Sequence, residues 1–368
     1  MRQKLYILIF CLFLVLPVGL SFIIKDNSNM ENKQLAAFPK INVNTDSYIK
    51  GVNSFINDRI PFKSSVVKLV SKAEILVDNE YETEKGILGK NDWMFYKGDD
   101  GKSSVNDYLG INKPDEVKLN KMAVELSALN TSLKERGVNL IVMICPNKED
   151  VFDQYLPNKY KKKEETKTYS QVVYSYLNKD FENILYPVDS LKKVDSFYKY
   201  DTHWNDLGAY MAVTEIEKKL NLKSVPFEEV SVDKTLKSDG DMISLLQLDS
   251  NKYNKDFLYK IDTKKQVTVK EIEKISTNQS VAFQRSVSNS NNKQQLFVIG
   301  DSFSNAMIPY LQEDFEKTTL LHRANSDMLN MNEMKKGDTV MIQVVGRSVS
   351  SLDDIFKVIN TKVEGEKQ

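Results

Sequence analysis

Val138 to Ile144 (VNLIVMI) is apolar at almost every position. A strand with one wet face alternates, whereas a strand covered on both faces reads as an unbroken apolar run. This run is therefore predicted to be a strand buried on both sides. Its neighbours agree. Asp115 to Arg136 carries helical spacing, opened by Pro114-Asp115 and closed by Gly137. A second helix is predicted over Thr166 to Phe181, a short strand over Ile184 to Val188, and a third helix over Asn205 to Leu220. The pattern resumes with a strand Leu296–Ile299, a helix from Phe303, strands Thr318–Leu321 and Thr339–Val345, and a helix Leu352–Ile359. Strands separated by helices predict an α/β fold, with a mainly parallel sheet covered by helices on both faces.

The α/β region spans 114–368, and 26–113 reads as a linker, helices and an aromatic hairpin. Pro61 splits the helical pattern of Tyr48 to Val77 in two. Ile87 to Tyr96 (ILGKNDWMFY) is predicted to be a hairpin turning at Asn-Asp. The stretch at about 225–290 is charged, polar and β-leaning, and is read as an inserted, exposed β region with a flexible edge. At the other end, Leu5 to Ile24 carries no charge over twenty residues. As a helix it rises about 30 Å, enough to cross a bilayer's hydrocarbon core. Residues 1–25 thus read as an uncleaved transmembrane anchor, or as a signal peptide whose removal would release a secreted protein. Arg2 and Lys4 favour a cytoplasmic N-terminus, with the C-terminal domain extracellular.

Charge excludes one class of partner. Lys+Arg and Asp+Glu both total 51, so no basic excess points to nucleic acid. The two cysteines, Cys11 and Cys145, form no zinc-spaced cluster with histidine, and Cys145 at a core strand end reads as a buried thiol. No phosphate-binding glycine loop or dinucleotide fingerprint occurs, so neither a metal nor a cofactor is expected.

The chemistry gathers at two stretches. Tyr200-Asp201-Thr202-His203-Trp204-Asn205 holds one of only two histidines, in the loop before the third helix. Gly300-Asp301-Ser302-Phe303-Ser304 puts a serine where a buried strand gives way to a helix. A serine needs a base within reach to act as a nucleophile, and a helix N-terminus offers N–H groups to a developing oxyanion. Ser302 is equally well placed for a helix N-cap. If the backbone is extended, Asp201 and His203 leave it on the same face; a turn would instead let the carboxylate reach Nδ1 of His203. His322 ends a strand with no acid beside it and reads as a structural histidine. Arg347, past the strand Thr339–Val345, and Trp204 are candidates for substrate contact.

At these residues the chain resembles a known family. Asp201-Thr202-His203-Trp204 with the later Gly300-Asp301-Ser302-Phe303 resembles the SGNH-hydrolase-like proteins of alginate O-acetylation and their Gram-positive relatives, the DHHW family. Met30 to Pro39 (MENKQLAAFP), Gly89 to Tyr96, Pro146-Asn147-Lys148 and Asp239-Gly240-Asp241-Met242 are similar to further segments of that family, with Lys33 in place of an arginine. The resemblance implies a triad of Ser302, His203 and Asp201 acting on O-acetyl groups of an extracellular polysaccharide. It also implies a multispanning membrane acyltransferase as acetyl supplier. The glycine and asparagine that complete the oxyanion hole in ordinary SGNH enzymes have no counterpart that the sequence identifies. Three activities fit: an acetyltransferase, a carbohydrate O-acetyl esterase with the same triad, and a non-catalytic polysaccharide-binding scaffold.

Overall fold

The computed structural model describes residues 36–40, 45–57, 81–101, 103–237, 239–253, 256–276 and 281–365. The anchor expected at 5–24 lies outside the described residues, as does the whole of the second helix expected between Pro61 and Val77. Among the described residues no helix is long and apolar enough to cross a membrane.

In chain order the strands are β1 (Tyr81–Glu82), β2 (Gly86–Leu88), β3 (Met94–Tyr96), β4 (Asn139–Cys145), β5 (Ile184–Leu185), β6 (Ser231–Lys237), β7 (Asp256–Asp262), β8 (Val269–Ser276), β9 (Val281–Ser288), β10 (Gln295–Gly300), β11 (Lys317–His322) and β12 (Thr339–Val345). The helices that matter below are α1 (Glu116–Glu135), α2 (Lys148–Val151), α3 (Tyr169–Leu177), α4 (Asp206–Lys219), α5 (Asp241–Leu245), α6 (Ser304–Leu311) and α7 (Leu352–Gly365).

The apolar run near residue 140 becomes β4, with every residue but the first buried. It lies inside a seven-stranded sheet of order β5-β4-β12-β10-β11-β9-β8. Alternate side chains of β4 leave on opposite faces. Ile141 and Met143 pack towards α4 and α6, against Val213 and Met307. Leu140 and Val142 pack towards α1, α3 and α7, against Leu129, Val173 and Phe356. Two apolar layers therefore sandwich the sheet, as the unbroken run requires. The first helix on that second side has the expected ends: Asp115 Oδ1 accepts from Lys118 N at 2.6 Å, and Gly137 stops it at φ +70°, a conformation that costs a glycine little.

The sheet is mainly parallel, as expected, but mixed, with an antiparallel edge. β5, β4, β12, β10 and β11 run parallel, but β9 pairs antiparallel with β11, and β8 antiparallel with β9. The stretch read as an inserted β region thus divides in two. β6 and β7 form a separate two-stranded ribbon, while β8 and β9 extend the main sheet. The polar look of β8 has a physical cause: it is an edge strand with almost every residue exposed, so it lacks the apolar face that marks a sheet member in sequence.

Topology sets where ligands can bind. From β4 the chain moves outward to β5 on one side, from β10 outward to β11 on the other, and β12 fills the place between β4 and β10. The carboxyl ends of β4, β12 and β10 so frame the point where strand order reverses, which in open α/β sheets is the ligand crevice. The segments leaving these ends carry Asn147-Lys148, Gly346-Arg347 and Asp301-Ser302. The aromatic hairpin β2–β3 turns through Asn91 and Asp92, both at positive φ, and packs with Tyr200, Met242 and Leu246.

Candidate active site

Ser302 occupies the turn between β10 and α6. Gly300 is required there, because a Cβ would stand 2.0 Å from Ser304 Oγ and 2.6 Å from Gln343 Oε1. Ser302 does not cap the helix. No side chain does: Asp301 Oδ1 instead accepts from Phe303 N at 3.0 Å, closing the turn just ahead of the helix. The buried Asp301 carboxylate also accepts from Gln343 Nε2 at 3.0 Å and from Val345 N at 2.7 Å. Gln343 Oε1 in turn accepts from Asp301 N and from Ser304 Oγ, at 3.0 and 2.6 Å. A satisfied buried network of this kind fixes the turn to the neighbouring strand. Ser302's own N–H has no partner among the described residues, which leaves it free for an incoming oxygen.

The other half comes from the loop before α4. Phe197 and Trp204 form an antiparallel bridge across it, and Asn205 caps the helix by accepting from Gly208 N at 3.1 Å. The loop is turn-like, not extended: Asp201 Oδ1 accepts from the backbone N of His203 at 3.0 Å and lies 2.7 Å from its Nδ1. Beneath it, the buried Lys148 of α2 donates to Asp201 O at 2.5 Å and to Met94 O at 2.8 Å, tying loop to hairpin. Asp241, at the start of α5, accepts from Thr202 N at 2.7 Å and from Thr202 Oγ1 at 2.5 Å. The two loops meet at His203 Nε2, 2.8 Å from Ser302 Oγ. Since Nδ1 faces a carboxylate, it carries the proton and Nε2 is the acceptor.

Charge follows geometry. Burial alone would raise the Asp201 carboxyl, but the hydrogen bond and charge of His203, then of Lys237, hold it well below the usual carboxylate range. Asp241 moves the other way, raised by burial and then by the charge of Asp201. Lys148 is brought down to about 8 by burial, against the pull of Asp201 and Asp241. Asp201, His203 and Asp241 present ligand atoms within 4.8 Å of one another. These atoms do not converge on a cation, because both Asp201 oxygens face His203 or Lys237, and both Asp241 oxygens face Thr202.

Not every expected site residue reaches the crevice. Trp204 is only 1% exposed and donates Nε1–H to Phe303 O at 3.0 Å. The expectation of substrate contact is corrected here: the indole is a core anchor that ties the histidine loop to the serine turn. Arg347 does face the site region, its guanidinium 5.4 Å from the Phe303 ring centroid and 5.7 Å from that of Tyr96. It forms no ion pair among the described residues. His322 ends β11 and accepts from Ala324 N at 3.3 Å, a local structural role. Cys145 is a buried thiol whose Sγ accepts from Gln343 Nε2 at 3.1 Å, and burial pushes it well above its ordinary range. Lys237 and Gln343 carried no signal in the sequence. Asp241 and Lys148 appeared there only inside short family-like segments.

A strand-end serine facing a histidine and an acid from an earlier loop, on an α/β sheet of this order, defines an SGNH-hydrolase-like domain. Residues 87–348 match the family described as "SGNH hydrolase-like domain, acetyltransferase AlgX", and the chain belongs to that family. No curated protein matches it in sequence. Among solved structures, a DHHW family protein from Eubacterium siraeum is similar with a TM-score of 0.52 and 14% identity, over 79% of this chain and 97% of that one. Bacillus cereus PatB1 is similar with a TM-score of 0.52 and 17% identity, over 74% of this chain and 98% of that one. At such identities the likeness is one of fold.

Proposed function

We propose that the chain is an extracytoplasmic O-acetyltransferase that moves acetyl groups onto polysaccharide hydroxyls through an acetyl-Ser302 intermediate. The observation that carries this reading is the unbroken line Asp201 Oδ1–His203 Nδ1 at 2.7 Å and His203 Nε2–Ser302 Oγ at 2.8 Å, within an acetyltransferase-family domain. His203 Nε2 takes the proton of Ser302 Oγ as the oxygen attacks an acetyl carbonyl. Asp201 holds the imidazole tautomer and offsets the charge that forms on it. The Ser302 N–H donates to the tetrahedral oxyanion. Collapse breaks the bond to the donor's leaving oxygen, which receives the proton from Nε2, and leaves acetyl-Ser302. A sugar hydroxyl then gives its proton to Nε2 and attacks the acyl carbon. The new ester departs as Ser302 recovers its proton.

Arg347, with its charge free beside Phe303, is suited to binding donor or acceptor. The uncharged run at 5–24 would tether the domain to the outer membrane face, beside a multispanning acyltransferase supplying acetyl groups. One observation favours hydrolysis as a second reading: the His203 side chain is 32% exposed, so water reaches the base.

Incubation with p-nitrophenyl acetate, with and without an oligosaccharide acceptor, separates the two. Acetyl on the sugar means transfer, and acetate alone means hydrolysis. Neither product, or full activity in Ser302→Ala, removes the proposed mechanism.

A further inference from the structure

The β6–β7 ribbon stands apart from the main sheet, and the first six residues of β6 are exposed. Its seventh, Lys237, is not. Its Nζ lies 2.9 Å from Asp201 Oδ2, the carboxylate oxygen that His203 leaves unused. The two side chains are 15% and 14% exposed, so this pair is largely removed from solvent. The ammonium also lies 4.3 Å from the centroid of the Tyr198 ring, whose hydroxyl donates to Asp206 at 3.2 Å. A four-membered row results: Lys237, Asp201, His203, Ser302.

We propose that Lys237 is a positioning residue of this site, clamping the Asp201 carboxylate towards His203 and dividing its charge. The proposal rests on the reading of Ser302, His203 and Asp201 as a catalytic set. Asp201 has two oxygens, and a buried oxygen left without a donor is costly. With Oδ2 held by Lys237, Oδ1 remains aligned with Nδ1, whereas a carboxylate free to rotate would present its lone pairs less steadily. Charge makes the second half of the argument. The imidazole is faced by two acids, Asp201 and Asp241, whose Oδ2 is 3.8 Å from Nδ1. Lys148 sits behind the loop on the Asp201 carbonyl, Asp256 holds Tyr200 N at 3.0 Å, and Arg347 lies across the Phe303 ring. Of these cations Lys237 is the one paired to the Asp201 carboxylate. Removing its charge leaves the carboxylate's full field on His203 and favours the imidazolium. A general base must be neutral to act, so the acid limb of the rate profile must move to higher pH.

The test is the pH dependence of kcat/KM with p-nitrophenyl acetate for the full chain, Lys237→Met, Lys237→Gln and Lys237→Arg, with melting curves as a folding control. We expect the acid limb of the Met and Gln variants to rise by about one pH unit. Their plateau rates should fall roughly tenfold, and Lys237→Arg should restore the limb. Because the chain has only two histidines, imidazole NMR gives a readout that needs no turnover. In a Ser302→Ala background the same upward displacement of the His203 titration is expected on Lys237→Gln. A folded Met or Gln variant whose limb and imidazole titration match the parent overturns the proposal. If Ser302→Ala instead keeps its activity, the catalytic reading fails, whatever the lysine variants do.

Discussion

Ser302 Oγ and His203 Nε2 lie 2.8 Å apart although 99 positions separate them in the chain. Each side is fixed by its own buried network. Gln343 and Asp301 hold the serine turn, and Lys148 holds the histidine loop. Trp204 then links loop to turn directly through Phe303 O. The pair is therefore preorganised rather than assembled on substrate arrival. Either Ser302→Ala or His203→Gln should lower kcat/KM by roughly three orders of magnitude or more, and the double variant should be little worse than the worse single one. A sulfonyl fluoride should label the parent once, at Ser302, and label His203→Gln far more slowly. Mass spectrometry reads both.

Two carboxylates stand near Nδ1, and geometry ranks them. Asp201 Oδ1 is at 2.7 Å, while Asp241 Oδ2 is at 3.8 Å and is occupied by Thr202. Asp201→Asn preserves shape but loses the charge and disturbs the tautomer, and should cost about 10³- to 10⁴-fold in kcat. Asp241→Asn acts only through the loop and should cost about tenfold or less. Equal losses in steady-state kinetics would mean that the two acids share the orienting role.

The sequence made the sheet readable where strands are buried on both faces, as at β4, and the helices readable where a cap and a stop flank them. The β character of the 225–290 stretch was legible but the membership of β8 in the main sheet was not, since an edge strand with a wet face carries no apolar signature. At the site, Ser302 and the Asp201/His203 pair could be picked out because histidine is rare and the local context specific. Lys237 could not, because one lysine among many in a polar ribbon looks like any other solvated charge. Gln343 was hidden for the opposite reason. It interrupts a core strand, and nothing local says which polar groups will surround it. The misplaced role of Trp204 has a related cause: adjacency in sequence put the indole beside the histidine, but the strand-like alternation of the bridge turns it into the core.

Gln343 is fully buried and uses its amide in four directions, towards Asp301 twice, Ser304 and Cys145. Gln343→Leu keeps the volume but strips a donor from the Asp301 carboxylate and the acceptor from Asp301 N and Ser304 Oγ. A loss of about 2–4 kcal/mol in unfolding free energy is expected, read by urea denaturation. Activity should fall as well, because the Ser302 turn keeps only the Val345 N–H as its polar tie to β12.

A second buried cluster makes stability depend on pH. Glu149 is pushed up to about 7 by burial and then by the charge of Asp150, with the Ser104 hydrogen bond opposing. Asp150 is pushed up to about 6 by burial, with Asn147 N–H opposing. In the unfolded chain both carboxyls lose their protons near pH 4. The folded protein keeps them to higher pH, so between about pH 4 and 7 it binds more protons than the unfolded chain, and stability falls as pH rises through that window. Asp201, Asp353 and Glu333 are lowered instead, so they lose their stabilising contribution only as pH falls below the ordinary carboxylate range. Asp314, raised to about 7 by burial, has the same sign as Glu149. Glu149→Gln isolates the Glu149 share, because the amide can still accept from Ser104 Oγ and has no proton to lose. From pH 5 to pH 8 the parent's melting midpoint should drop about 5 °C more than that of Glu149→Gln. Parallel curves in scanning calorimetry would show that Glu149 is already ionised in the folded protein at pH 5.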